Sequence, residues 1–340
     1  MHHDRGHRSH GVFVSGAIRN TKELECIMKV EETVPSALDG ERIDRIVSII
    51  ADISRSDATR LIADGGAEVD GTPVVSGKPR LKEGQTVVVD LDKIPVDEPP
   101  GPDASVELQI VYADDDIVVI NKTAGMVVHP ASRHGSGTVV NGILALYPEI
   151  SDVGQPARPG IVHRLDAGTT GMMVVARSQR AYDSLVEALS EHEVGREYMA
   201  LSWGHFDSPT ATVDAAIGRH PRDPMKMAVV NNGKWARTHL QVVETFNDPA
   251  DLSVVQCTLE TGRTHQIRVH LAAVGHPVVG DTMYGGAKSA LKADRPMLHA
   301  RRLTLIHPGT GEEMSWEAPV PDDMVRVIAR CSTYEPDARQ

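Results

Sequence analysis

Four prolines, Pro95, Pro99, Pro100 and Pro102, crowd together with Asp97, Glu98, Gly101 and Asp103. Proline lacks the backbone N–H that a helix or sheet ladder requires, and the neighbouring charges keep the stretch in water. No regular element can run through it. The chain therefore reads as two folding units, residues 28–92 and residues 107–331, joined by a linker over residues 93–106. A length of 340 residues, 41% of them hydrophobic, supplies a core for a large unit plus a small one. Residues 1–27 follow no helical or strand period and carry His2, His3, His7 and His10 among Arg5 and Arg8. They read as a disordered leader in preference to a metal-binding tail, with Met28 as the expected native start. Residues 332–340 are polar and are expected to fray.

In the front unit, Ile43, Ile46, Val47 and Ile50 have the spacing of an amphipathic helix. Ser54 is placed to cap a second helix, with Asp57 in an approximate capping box and Ala58, Leu61 and Ile62 on its apolar face. Val69, Val74, Val75 and residues 86–89 read as short strands, with Asp70-Gly71 as a turn. In the rear unit, Ile110-Val111-Tyr112 and residues 117–120 read as strands around the acidic turn Asp114-Asp115-Asp116. Ser178 caps a helix carrying Tyr182, Leu185, Val186 and Leu189; residues 254–259 form a strand; Ile267, Leu271 and Val274 mark a short helix ending at Gly275. Helices and strands mix without the regular alternation of a doubly wound sheet, so the expected class is α+β.

No apolar run approaches the roughly 20 residues of a membrane helix, and the first residues lack a signal-like apolar stretch, so a cytoplasmic protein is expected. Cys26, Cys257 and Cys331 are isolated, which disfavours a disulfide framework or a zinc ribbon. The net charge of −12 argues against nonspecific coating of RNA, but its distribution matters more than the sum. Arg219, Arg222, Lys226, Lys234 and Arg237 face one acid, Asp223, within residues 219–237. Residues 263–270 and 295–307 also carry arginines and no acid. Acids gather instead in residues 90–116, 183–197 and 312–323. A basic face on an acidic body fits phosphate binding, against the plainer reading of charges clustered by chance on solvated surfaces.

Several familiar chemistries fail on spacing. Residues 71–78 only approximate a phosphate loop, and Pro79 stands where a Ser or Thr is needed. No GxGxxG follows a strand, and no GxSxG elbow accompanies His163 and Asp166. No metal-ligand spacing appears among the histidines, so no metal site is expected. What remains is a set of four stretches. Residues 163–171, His-Arg-Leu-Asp-Ala-Gly-Thr-Thr-Gly, hold Asp166 beside Arg164 in a glycine-bearing loop between two apolar runs, a place suited to a nucleophile or base. The others are Arg196-Glu197-Tyr198, residues 261–270 with Arg263, Ile267 and Arg268, and Met297-Leu298-His299-Ala300. Singly, Tyr198 and Leu298 read as packing residues and Arg268 as an ion-pair residue.

Together and in this order, the four stretches resemble the RluA/RluD-type pseudouridine synthases. The resemblance runs from Met28 to about Ile328 and includes Ile120-Asn121-Lys122, Val128-His129-Pro130, residues 217–223, Gly275-His276-Pro277, Gly280-Asp281 and Ala318-Pro319. The front unit is similar to an alpha-L RNA-binding module, on Ser54-Arg55-Ser56, Leu61-Ile62 and Val69-Asp70-Gly71. Two departures stand out: Thr123, where the family often has proline, and Asp70 with Glu68, which add negative charge to the module.

The resemblance implies a mixed, mainly antiparallel central sheet with flanking helices, preceded by the small RNA-binding module. It implies conversion of specific uridines to pseudouridine in large-subunit ribosomal RNA, free or in a ribosome precursor, by a monomer without cofactor. The bond from ribose to uracil nitrogen breaks, the base turns, and it rejoins through carbon. Asp166 is then the essential carboxylate, attacking the sugar or removing a sugar proton; the residues leave both routes open. Arg268 is its implied partner, since a buried carboxylate is costly unless paired. Tyr198 lies against the detached uracil, Leu298 and Ile267 close apolar surface around it, and Arg164 fills the space the base vacates. Ser54, Arg55, Arg60, Arg219, Arg222 and Arg263 are the expected RNA contacts. The alternatives are the same chemistry on transfer RNA or another ribosomal site, and a non-catalytic RNA-binding assembly factor. A glycoside hydrolase using Asp166 would need a second positioned carboxylate, which no motif supplies.

Overall fold

The computed structural model describes residues 29–94, 99–129, 136–223 and 225–333. The leader over residues 1–27, Met28, linker residues 95–98 and residues 334–340 of the tail lie outside the described residues. The chain divides into two compact units between Asp97 and Glu98.

In the first unit, β1 (Lys29–Thr33), β2 (Ala67–Val69), β3 (Thr72–Val74) and β4 (Thr86–Asp90) form a sheet in the order β1-β4-β2-β3. Helices α1 (Ile43–Ile50) and α2 (Arg55–Ala63) come before its last three strands. Ile43, Ile46 and Val47 of α1 pack with Ala58, Leu61 and Ile62 of α2 and with Val87 and Val89 of β4. Ser54 caps α2 by accepting from the Asp57 amide at 3.1 Å. Asp70 and Gly71 both take positive φ between β2 and β3, the tight hairpin turn their pairing in sequence predicts. Strand β1 has no signal in the sequence, because its residues are mostly exposed and show no apolar alternation.

The second unit is built on a ten-stranded sheet. Its main path runs β11 (Thr210–Asp214), β14 (Arg237–Asp248), β15 (Leu252–Leu259), β10 (Gly195–Trp203), β16 (Leu298–Ile306), β9 (Thr170–Ala176), β6 (Ile117–Lys122) and β5 (Gln109–Ala113). Strand β17 (Glu313–Glu317) extends β16, and β18 (Ser332–Thr333) pairs with β14. Residues 332 and 333 thus belong to the sheet, where the sequence reads as frayed; two polar residues give no local strand signal. Two short hairpins, β7 (Gly154–Gln155) with β8 (Arg158–Pro159) and β12 (Ile217–Arg219) with β13 (Met227–Val229), lie outside it. Among the described residues, the α-helices of this unit are α3 (Val139–Leu146), α4 (Gln179–Ser190), α5 (Gln266–Ala273) and α6 (Asp322–Ile328).

All the pairings in this sheet are antiparallel except β9 with β16. This is the α+β class the sequence predicts, with the mixed, mainly antiparallel sheet that the family resemblance implies. Strand β9 is buried along its whole length, as its unbroken apolar run requires. Gly171, the second residue of the strand, takes φ 113°, and a Cβ there would run into the Ala300 carbonyl. The close parallel approach of β9 to β16 therefore depends on this glycine, and it brings the loop before β9 alongside Leu298. Among the described residues, no helix is long and apolar enough to cross a membrane.

Candidate active site

The loop between β8 and β9 carries Asp166 and is tied down by its carbonyls. Lys122, at the end of β6 and 2% exposed, donates through Nζ to Thr123 O (3.0 Å), Met126 O (2.9 Å) and Ala167 O (3.3 Å). Arg295 Nη1 donates to Gly168 O at 3.1 Å and to Leu298 O at 3.2 Å, while Asp323 pairs with the rest of its guanidinium. Thr170 Oγ1 bonds His299 Nδ1 at 2.9 Å. His163 accepts the Val174 N–H through Nε2 at 3.1 Å. Burial pushes its pKa down to about 3, so the ring is neutral and braces the loop.

The Asp166 carboxylate meets Arg268 from α5, Nη1 to Oδ2, at 2.9 Å. Asp281 aims that guanidinium, accepting from Nε at 2.7 Å and from Nη2 at 3.0 Å. Asp281 is fully buried and also accepts the backbone N–H groups of Met283 and Tyr284. Burial opposes the Arg268 charge, but the bonds and charges of the two carboxylates outweigh it and raise its pKa. Arg268 therefore neutralises a structural acid with one edge and presents its remaining Nη1 to Asp166. The ring of Tyr284 lies 5.1 Å below the guanidinium. Its hydroxyl accepts from the Met227 amide at 3.0 Å and lies 2.8 Å from His265 Nδ1. His265 Nε2 stands 3.9 Å from Asp166 Oδ1. Burial lowers the His265 pKa against the pull of Asp166, so the ring is neutral at pH 7.

Asp166, Arg268, His265 and His163 line a cleft of about 430 Å³. Tyr198 from β10, Ile267 from α5 and Leu298 from β16 form buried apolar wall, at 7%, 4% and 4% exposure. Burial and the Asp166 charge push the Tyr198 phenol up to about 12 against the pull of Arg196, so it stays protonated. Exposed Arg164 and half-buried Arg263 line the same cleft. The six residues expected at the reaction centre thus converge with Arg263. Arg219 and Arg222 are exposed in and just after β12 and do not line the cleft. Ser54, Arg55 and Arg60 belong to the first unit. There Ser54 is the α2 cap, Arg55 is bonded to buried Asp44 at 2.8 Å, and Arg60 is paired with Asp57 at 2.6 Å. Part of the charge expected to meet phosphate is already matched within that unit.

Asp281, Lys122, His265, Tyr284 and Arg295 carry roles the sequence reading did not assign. Asp281 had one signal, an acid directly after Val278-Val279-Gly280. An acid in such a run is buried and needs a cation, but nothing local says which.

Lys122 yields a pH prediction. Burial lowers its pKa from 10.5 to about 8. Between those values the unfolded chain holds more protons than the folded one, so the stability this group contributes rises with pH across the window and is constant below it. Wild type should therefore gain stability relative to Lys122→Met between about pH 8 and 10.5, measured by urea midpoints. Parallel pH profiles for the two proteins would contradict this.

The cleft thus offers a charge-paired carboxylate beside a protonated tyrosine and apolar walls, a site able to supply a nucleophile or base to a partly enclosed substrate. The RNA pseudouridylate synthase family model matches residues 116–273. Together with identities of about 40% to full-length relatives, this makes the chain a member of the RluA/RluD-type RNA pseudouridine synthases, isomerases that act on RNA. It is 42% identical over 316 residues to ribosomal large subunit pseudouridine synthase D of Escherichia coli (strain K12), covering 88% of this chain and 94% of that one. It is 40% identical over 304 residues to the uncharacterized RNA pseudouridine synthase YlyB of Bacillus subtilis (strain 168), covering 88% and 97%. Among solved structures it is similar to human RNA pseudouridylate synthase domain containing 1, with TM-score 0.55 and 30% identity over 68% of this chain and 91% of that one.

Proposed function

We propose that this enzyme converts specific uridines of large-subunit ribosomal RNA to pseudouridine, with Asp166 as the essential carboxylate. One observation carries the reading: Asp166 is ion-paired to an arginine that a second, buried carboxylate orients, at the floor of a cleft walled by Tyr198, Ile267 and Leu298. The relatives named for large-subunit RNA support the substrate. Asp166 acts on the sugar of an extruded uridine, by attack or by proton removal. Tyr198 packs against the detached uracil, and Ile267 and Leu298 keep water from it. Extrusion costs a few kcal/mol, which Arg164 offsets by occupying the vacated space and Arg263, Arg219 and Arg222 by meeting phosphates. All the groups of the reaction centre come from one chain, so a monomer suffices for the proposed reaction.

The first unit acts as an alpha-L RNA-binding module, gripping structured RNA away from the reaction centre. Deleting residues 28–95 should lower activity on intact large-subunit RNA about tenfold or more, while short fragments lose less; equal losses would contradict a targeting role. The whole reading is tested by incubating purified protein with large-subunit RNA transcript and mapping pseudouridine. Product on transfer RNA alone would reassign the substrate, and no product on any RNA would refute the reading.

A further inference from the structure

We propose that Trp235 is a stacking platform for an unpaired base of the RNA strand beside the target uridine, a subsite on the rim of the cleft. The proposal rests on RNA entering the cleft and not on which RNA it is. Of the three tryptophans, Trp203 is buried and Trp316 packs against the core, whereas Trp235 is 41% exposed. Exposure of one aromatic ring is ordinary. What distinguishes Trp235 is that it is held rigidly in the open by polar contacts and bonded to Arg263, which lines the cleft.

Its backbone is pinned on either side. Lys234 exchanges backbone hydrogen bonds with Ile217 at 2.8 and 2.9 Å, and Ala215 N donates to Ala236 O at 3.0 Å. A Cβ at Gly233 would strike the Ile217 backbone, so the turn closes tightly on β12. The indole N–H donates to Asp214 Oδ1 at 2.9 Å, fixing the ring's orientation. The same carboxylate is neutralised by Arg237 at 2.6 Å, so it does not leave a free negative charge facing RNA. The Arg237 guanidinium sits 5.3 Å from the ring centroid, and His192 meets the ring edge-on at 5.3 Å.

The position relative to the cleft follows from two contacts. Trp235 O accepts from Arg263 Nε at 2.9 Å, and Arg263 lines the cleft. His192 lies two residues beyond α4, and Leu189 and Ser190 at the end of that helix also line the cleft. A rigid indole flanked by Lys234 and Arg263, with Arg237 matched by Asp214 and Glu260, combines the π-face and positive charge by which proteins hold single-stranded nucleic acid. A nucleobase stacks on the indole surface left accessible, and its phosphates meet the cations. A strand so held is splayed open next to the residue being extruded.

The test uses the full-length protein with two strands, a uridine decanucleotide and the same ribose-phosphate chain without bases. Trp235→Leu should weaken binding of the uridine strand by between about 5-fold and 150-fold and leave the baseless strand nearly unaffected. Trp235→Phe, which keeps a π-face, should bind close to wild type. The uridine strand should quench the part of the wild-type fluorescence that Trp235→Phe lacks; this reading needs only the wild type and the conservative variant. Equal binding of the uridine strand by Trp235→Leu and wild type, equal losses on both strands, or no quenching would overturn the proposal. Quenching by the uridine strand in a protein that makes no pseudouridine in large-subunit RNA would leave the subsite standing and refute the substrate reading instead.

Discussion

Asp166→Asn is expected to lower pseudouridine formation by about three orders of magnitude or more while leaving the fold and RNA binding nearly intact. The amide has the shape of the carboxylate and can still accept from Arg268 Nη1, now 2.9 Å from Asp166 Oδ2. The loop is held through the carbonyls of Ala167 and Gly168 by Lys122 and Arg295, not through the Asp166 side chain, so its path survives. What disappears is the one carboxylate among the described residues that line the cleft, the group proposed to attack a sugar carbon or take a proton from it. The measurement is single-turnover pseudouridine yield with saturating RNA, alongside RNA affinity and thermal midpoint. Turnover near the wild-type rate would remove Asp166 from the chemistry. Loss of RNA binding in the same proportion would make it a binding residue instead.

Arg268→Ala should abolish activity and also destabilise the protein by about 3–5 kcal/mol, because it strands a buried charge. Asp281 is fully buried, and Arg268 is its only side-chain partner among the described residues; the amides of Met283 and Tyr284 remain. Asp166 loses its guanidinium in the same step. Arg268→Lys should recover little, since one ammonium cannot hold the two-pronged contact with Asp281 and still reach Asp166. The stability and activity losses separate in a double variant. Arg268→Met with Asp281→Asn removes both charges and keeps an acceptor for the two amides, so stability should largely return while activity should not. Chemical denaturation and pseudouridine yield on the same four proteins decide it. Wild-type stability in Arg268→Ala, or activity in the double variant, would defeat the argument that Asp281 orients Arg268 for Asp166.

Much of the local structure was legible because its causes lie within one or two turns of chain. The Ile43, Ile46, Val47 and Ile50 stripe becomes α1, Ser54 and Ser178 cap α2 and α4 as expected, and Asp70-Gly71 makes the β2–β3 turn. The acidic turn at residues 114–116 joins β5 to β6, and Gly275 takes positive φ just beyond α5. Exposed β1 and two-residue β18 were not legible, since each is created by its neighbour, β4 and β14 respectively. The candidate site divides in the same way. Its residues could be named from four motifs, but Asp281, Lys122 and Arg295 had no visible task. Each acts on a group far away in sequence: Lys122 on a carbonyl 45 residues on, Arg295 on one 127 residues back.

The amino-acid sequence alone determined helices α1, α2 and α4, the turns at residues 70–71 and 114–116, and which residue types are available for chemistry, because capping, periodicity and turn chemistry act over a few bonds. Only the tertiary structure decided the electrostatics of the cleft. Asp166 and Arg268 are separated by 102 residues, and they meet because β9 lies parallel to β16 at a glycine too crowded for any side chain and because α5 is anchored through a buried acid. Long-range burial sets what a charge is worth, and no local pattern encodes it.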